Sequence, residues 1–122
     1  MAKTSSQYHT AAAGNVTLQT VTNATYTVAK AGSSAWFGGK VDNTANSAPV
    51  WVKFYNSATP SVGTDGAVII LKLPAGVART FILMQGNITF GTALSFACTK
   101  TSGGVSGTAD PDSGVKVALA HT

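Results

Sequence analysis

Glutamate is absent from this 122-residue chain, arginine and cysteine occur once each (Arg79 and Cys98), and charged residues make up only 10%. Each shortage closes off a class of chemistry. Without Glu, the only side-chain carboxylates are Asp42, Asp65, Asp110 and Asp112, and they suggest no carboxylate pair for acid/base work. One cysteine cannot form an intramolecular disulfide, and with only His9 and His121 beside it there is no zinc-binding spacing. Cys98 stands in Ala93-Leu94-Ser95-Phe96-Ala97-Cys98, on the face of Leu94 and Phe96, and reads as a small buried hydrophobe with no base beside it. Long apolar runs are missing too. No stretch reaches the roughly 18 apolar residues of a membrane span, and Met1 to Thr10 lacks the apolar segment of a secretory signal. No membrane partner is expected, and the chain reads as one made in a reducing cytoplasm.

The net charge of +4 and the isoelectric point near 9.5 raise the question of nucleic acid. The lysines argue against it. Lys3, Lys30, Lys40, Lys53, Lys72, Lys100 and Lys116 stand singly, with one Arg among them, whereas nucleic-acid binders cluster charge on one face and rely on Arg for bidentate contacts.

What remains is a small-residue chain in which 44% of residues are hydrophobic. A chain of this length suits one domain that removes roughly two thirds of its unfolded surface from water. Residues 1–14 are polar or small and read as an N-terminal arm; residues 15–122 carry the domain. Alternation of apolar and polar residues starts at Asn15, where Val16, Leu18 and Thr20 share a face. Further runs at 25–30, 35–41, 50–55, 67–73, 77–84, 87–90, 93–100 and 114–121 are each bounded by Gly, Pro, Asn or Asp. The paired glycines Gly38-Gly39 inside one run predict a bulge or a close backbone approach. No window favours a helical period. Strands about ten residues apart predict an all-β fold: a single antiparallel β-sandwich, jelly-roll-like or immunoglobulin-like.

Motifs that would carry catalysis or ion binding fail on inspection. Gly103-Gly104-Val105-Ser106-Gly107 resembles a nucleophile elbow, but Thr108 stands where the pattern needs Gly. Gly39-Lys40 lacks the flanking residues of a phosphate loop, with Ser34 and Val41 at the decisive positions. Asp110-Pro111-Asp112 opens like a calcium loop, yet His121 holds the place of the bidentate Glu. The expectation is a non-enzymatic protein without metal or cofactor.

Three runs are apolar on both faces: Val50-Trp51-Val52-Lys53-Phe54-Tyr55, Ala67 to Leu73, and Phe81-Ile82-Leu83-Met84. A two-layer fold buries one face of each sheet, so the surplus predicts cover from neighbouring subunits. Trp51 and Tyr55 share a face, with Lys53 between them, and of the adjacent Trp36 and Phe37 one points away from the core. With Val68, Ile70 and Tyr8 of the arm, these residues form the candidate interface, since aromatics concentrate in interface centres.

The segment from Val52 to Gly66 joins a Lys-hydrophobic-Tyr element to Ala58-Thr59-Pro60 and Gly63-Thr64-Asp65. It is followed by Leu73-Pro74-Ala75-Gly76 and later by Asn87-Ile88-Thr89-Phe90. These motifs resemble a family of small tailed-bacteriophage virion proteins, over about residues 50–120. The resemblance implies a capsid decoration or cement protein on the virion surface, with the major capsid protein as partner. It carries no catalytic residues; Pro60, Gly63, Asp65, Pro74 and Gly76 would be turn formers. A homo-oligomer, a trimer first, is expected through the second apolar faces, and the arm is expected to lie along a neighbour. A tail, neck or fibre component of the virion is the alternative, then a carbohydrate-binding sandwich using Trp36, Trp51 and Tyr55.

Overall fold

The structure, a computed structural model, describes residues 14–83, 87–101 and 107–122. Tyr8 and the rest of the expected arm before Gly14, the end of the run at 77–84 and the stretch Gly103 to Ser106 lie outside the described residues. Among those described there are nine strands: β1 (Asn15–Val21), β2 (Thr27–Ala31), β3 (Ser34–Asp42), β4 (Val50–Tyr55), β5 (Ile69–Leu73), β6 (Ala78–Ile82), β7 (Ile88–Phe90), β8 (Ala93–Thr99) and β9 (Val115–His121). Every pairing is antiparallel.

The strands build two sheets. The first runs β1-β9-β3-β6, with β7 beside β6 on the same side of β3; the second runs β2-β8-β4-β5. The chain changes sheet between successive strands except from β4 to β5 and from β6 to β7. This is the strand order of an eight-stranded jelly roll, with β7 as an addition. An immunoglobulin-like order would keep the first two strands in one sheet; here β1 and β2 lie in opposite sheets, which decides for the jelly roll.

The inner faces follow from alternation. Val115, Val117 and Leu119 of β9, with Trp36 and Val41 of β3, meet Val50, Val52 and Phe54 of β4 and Leu94, Phe96 and Cys98 of β8, all buried. Trp36 stacks on Phe54 with ring centroids 4.5 Å apart, and Phe54 meets Phe96 at 6.4 Å. Each large side chain removed from water here stabilises the fold by about 1.5–3 kcal/mol.

The glycine pair does what its pattern predicts. The β3–β9 register slips between Trp36 and Gly38, which has φ +131°. A Cβ on Gly38 would lie 2.1 Å from the Phe81 carbonyl oxygen, and one on Gly39 1.9 Å from that of Ala118. Flanking strands thus approach β3 from both sides at the point where it has no side chains.

Two asparagines close one end of the sandwich. Asn43 and Asn46 are buried in what the sequence presents as a polar loop. Asn43 Nδ2 donates to the carbonyls of Ala48 (3.1 Å) and Pro74 (3.0 Å). Asn46 Nδ2 donates to Asn43 Oδ1 (2.8 Å) and to the Ser113 carbonyl (3.1 Å), while Ser113 N–H donates to Asn46 Oδ1 (2.6 Å). Three connections that diverge in sequence are tied through one amide pair.

Candidate functional site

With the inner faces spent on the core, any contact surface lies on the outer faces and edges of the two sheets. The second sheet is the one the sequence singles out. Cross-strand register puts Trp51, Lys53 and Tyr55 of β4 on its outer face, opposite Thr99, Ala97 and Ser95 of β8. These positions are largely closed. All of β8 is buried, as are Lys53 and Tyr55, and Trp51 is half-buried.

The cover comes from the chain itself, which corrects the expectation of neighbouring subunits over 50–55. Lys53 Nζ donates to the Gly107 carbonyl at 2.7 Å. Ser95 Oγ donates to the Ser57 carbonyl at 2.6 Å. Asp110 Oδ1 accepts the Ala24 amide at 2.8 Å, and Lys100 N–H donates to the Ala109 carbonyl at 2.9 Å. The β4–β5 connection and the described stretch from Gly107 therefore reach over the outer face and are pinned to it. Turn residues shape the β4–β5 part of that cover: Gly63 has φ +92°, and Asp65 Oδ2 accepts the Ser61 amide at 2.9 Å. Gly76, φ +71°, turns the separate β5–β6 connection, where its N–H donates to the Asn46 carbonyl at 3.1 Å.

Burial sets the electrostatics beneath the cover. Desolvation holds the Lys53 ammonium below its ordinary pKa and pushes the Tyr55 hydroxyl above its own, with the Asp65 charge adding to the latter. Tyr55 OH and Trp36 Nε1 are buried without a hydrogen-bond partner among the described residues.

The candidate interface residues divide accordingly. Trp36 and Tyr55, 2% and 1% exposed, are interior side chains in this domain and not surface anchors. Phe37, at the register slip of β3, is half-buried. Trp51 is half-buried with the Lys72 ammonium 5.4 Å from its ring centroid, a cation–π contact worth about 0.5–1 kcal/mol. Val68 and Ile70, on the β5 margin of the same face, are exposed at 49% and 37%. Two of the three aromatics that the carbohydrate alternative relied on are therefore interior.

Residues outside the expected set join the surface. β1 carries Val16 and Leu18 on the outer face of the first sheet, 55% and 75% exposed, and β6 carries Ile82 on the same face, 47% exposed. Pairing continues Val16 through Ala120 and Gly38 to Ile82, so small residues run between two apolar margins. Alternation made the Val16–Leu18 face visible in the sequence but not its outward direction. A separate cleft of about 390 Å³ lies among Tyr26, Pro60, Val62, Thr108 and Asp110 at the rim of the second sheet.

Chemistry-bearing side chains are dispersed. Asp112 pairs with Lys100 at 2.6 Å, apart from Asp110 on the Ala24 amide, and the described residues hold no group of three metal-ligating side chains. Cys98 is buried, and its thiol is pushed up to about 12 by desolvation. His121 joins β9 to β1, its Nε2 2.8 Å from Thr17 Oγ1. No helix among the described residues is long and apolar enough to cross a membrane. Comparison with protein-family models, with curated proteins and with solved structures finds no match.

Proposed function

We propose that this jelly roll is a phage capsid decoration protein that binds the outer surface of the head and reinforces contacts between major capsid subunits. The observation that carries the reading is the distribution of exposed apolar side chains. Val68 and Ile70 on one sheet, with Val16, Leu18 and Ile82 on the other, offer docking surface in a domain whose buried Lys53, Ser95, Asn43 and Asn46 are bonded to its own loops. The likeness of residues 50–120 to small virion proteins supports it, and three of its motif residues, Pro60, Gly63 and Asp65, lie in the β4–β5 connection. Fold alone does not argue function, because jelly rolls serve unrelated roles.

The mechanism is mechanical. A domain that binds the assembled lattice but not free subunits stabilises the lattice by mass action. Many copies, each making a modest apolar contact, add by avidity. Lys residues are scattered, so attachment depends mainly on apolar burial and weakens only modestly as salt rises.

The deciding experiment is purification of intact virions with quantification of this chain against the major capsid protein. A ratio on the scale of the capsid, with loss of genome at lower temperature from particles lacking the chain, supports the reading. Full robustness of such particles combined with failure to join tails or adsorb to cells would transfer the role to a tail or fibre component. One observation favours a second reading: the cleft beside Tyr26 joins an exposed aromatic ring to Thr and Asp oxygens, the groups a sugar uses. Glycan binding by the isolated chain that is lost in Tyr26→Ala would support that reading instead.

A further inference from the structure

We propose that β1 is a homotypic docking edge, pairing antiparallel with β1 of a second copy of this chain about a two-fold axis at Leu18. The two β1-β9-β3-β6 sheets would then run on as one. The inference goes beyond the particle reading and does not rest on it.

The backbone makes the first case. β1 pairs with β9 along all seven residues, without a register slip, and among the described residues no strand lies on its other side. Every second residue there presents an N–H and a C=O that a strand can satisfy. The other edges are guarded or short. β2 carries Lys30 and a register slip between Val28 and Lys30; β5 carries Lys72 and runs into Pro74; β6 carries Arg79; β7, uncharged, is only three residues long. β1, Asn-Val-Thr-Leu-Gln-Thr-Val, has no charge and no proline, and it is longer than any of these.

The side chains make the second case. β1 turns Val16 and Leu18 outwards and Thr17 and Gln19 to the other face, and only Val21 at its end is buried in the core. A two-fold at Leu18 sets Leu18 against Leu18 of the second copy, Val16 against Thr20, and Thr17 against Gln19. On the outer face the two Leu18 side chains meet, flanked by Val16 against the Thr20 methyl, and on the other face the amide and hydroxyl of Gln19 and Thr17 meet.

Charge permits the pairing although each chain carries +4. Lys116 lies one strand in from the edge, opposite Thr20, and Lys40 lies two strands in, level with Leu18. Strand spacing and rise put the two copies of Lys116 about 20 Å apart, beyond the Debye length of about 8 Å at physiological salt. A seven-residue strand pair falls short of the roughly 1,200 Å² of a stable interface, so the dimer belongs to high local concentration. The competing occupant is the segment 1–13, which contains no Val, Ile, Leu, Phe or Trp and is the poorer strand former.

Sedimentation equilibrium from micromolar to millimolar protein tests the proposal. Wild type should pass from monomer to dimer, and Leu18→Lys and Leu18→Asp should each stay monomeric with unchanged thermal unfolding. Mixing the two variants should restore a dimer at protein concentrations at least about tenfold below any at which either variant alone associates, because the Lys of one copy then faces the Asp of the other. A wild-type dimer untouched by both substitutions would overturn the proposal, as would a wild-type monomer at millimolar protein. Should deletion of residues 1–13 turn such a monomer into a dimer, the edge belongs to that segment, and the second copy is not its occupant.

Discussion

Cys98 gives the most direct measure of how dry this sandwich is. It stands in β8, fully buried, and desolvation pushes its thiol from the ordinary 9.0 up to about 12. The unfolded chain ionises at the ordinary value, so above it the unfolded state has lost a proton that the native state keeps. Stability therefore falls as pH rises from 9.0 and levels off only when the native thiol itself titrates. Each unit is worth about 1.4 kcal/mol, which makes the loss roughly 3 kcal/mol two units above the ordinary value. Tyr55, raised by burial, adds a loss of the same sign above its own ordinary pKa. Lys53, lowered by burial, acts oppositely, its penalty fading as pH rises towards 10.5. Both are common to wild type and Cys98→Ala, so the difference between the two proteins isolates the thiol. Urea unfolding in mild alkali should show Cys98→Ala less stable by about 1 kcal/mol, because the small cavity left by the sulfur forfeits its packing. At pH values about two units above the thiol's ordinary pKa the order should reverse, with the variant ahead by about 1–2 kcal/mol. A difference that stays constant across that range would refute the claim that the β8 interior excludes water.

Asn43→Ala removes a donor shared by the Ala48 and Pro74 carbonyls and the acceptor of Asn46, and should cost about 2–4 kcal/mol in denaturant unfolding, against no more than about 0.5 for the exposed Thr44→Ala. Gly39→Ala should lower the melting temperature sharply, because its Cβ meets the Ala118 carbonyl at 1.9 Å, whereas Gly66→Ala, with open space around it, should leave it nearly unchanged. Ile70→Lys should cut occupancy on purified particles while circular dichroism shows an intact sandwich, since Ile70 is 37% exposed.

Strand positions were largely legible. Turn residues bound every run, and β4 begins and ends where alternation between Pro49 and Asn56 places it. The choice between jelly roll and immunoglobulin order was not, because pairings such as Val21 with Val115 leave no local mark. The candidate surface was half legible. A strand apolar on both faces reads the same whether another subunit or its own loops cover it, and the Lys53–Gly107 bond that settles β4 joins residues far apart in sequence. Trp36 and Phe37 could not be ordered from sequence, since the slip at Gly38 shifts the phase between them. Asn43 and Asn46 read as loop polarity because burial of an amide depends on carbonyls contributed by other connections.

The place of β9 between β1 and β3 governs the order in which the fold can form. β1 and β3 share no direct pairing; β9 bonds both and supplies Val115, Val117 and Leu119 to the interior. Until it arrives, the first sheet is two separate pieces, and closing the loop to β1 costs chain entropy that no earlier contact offsets. Assembly is then all-or-none, in the milliseconds-to-seconds range of domains built from distant pairings. A fragment ending before Val115 should show no cooperative unfolding, even though eight of the nine described strands are present in it.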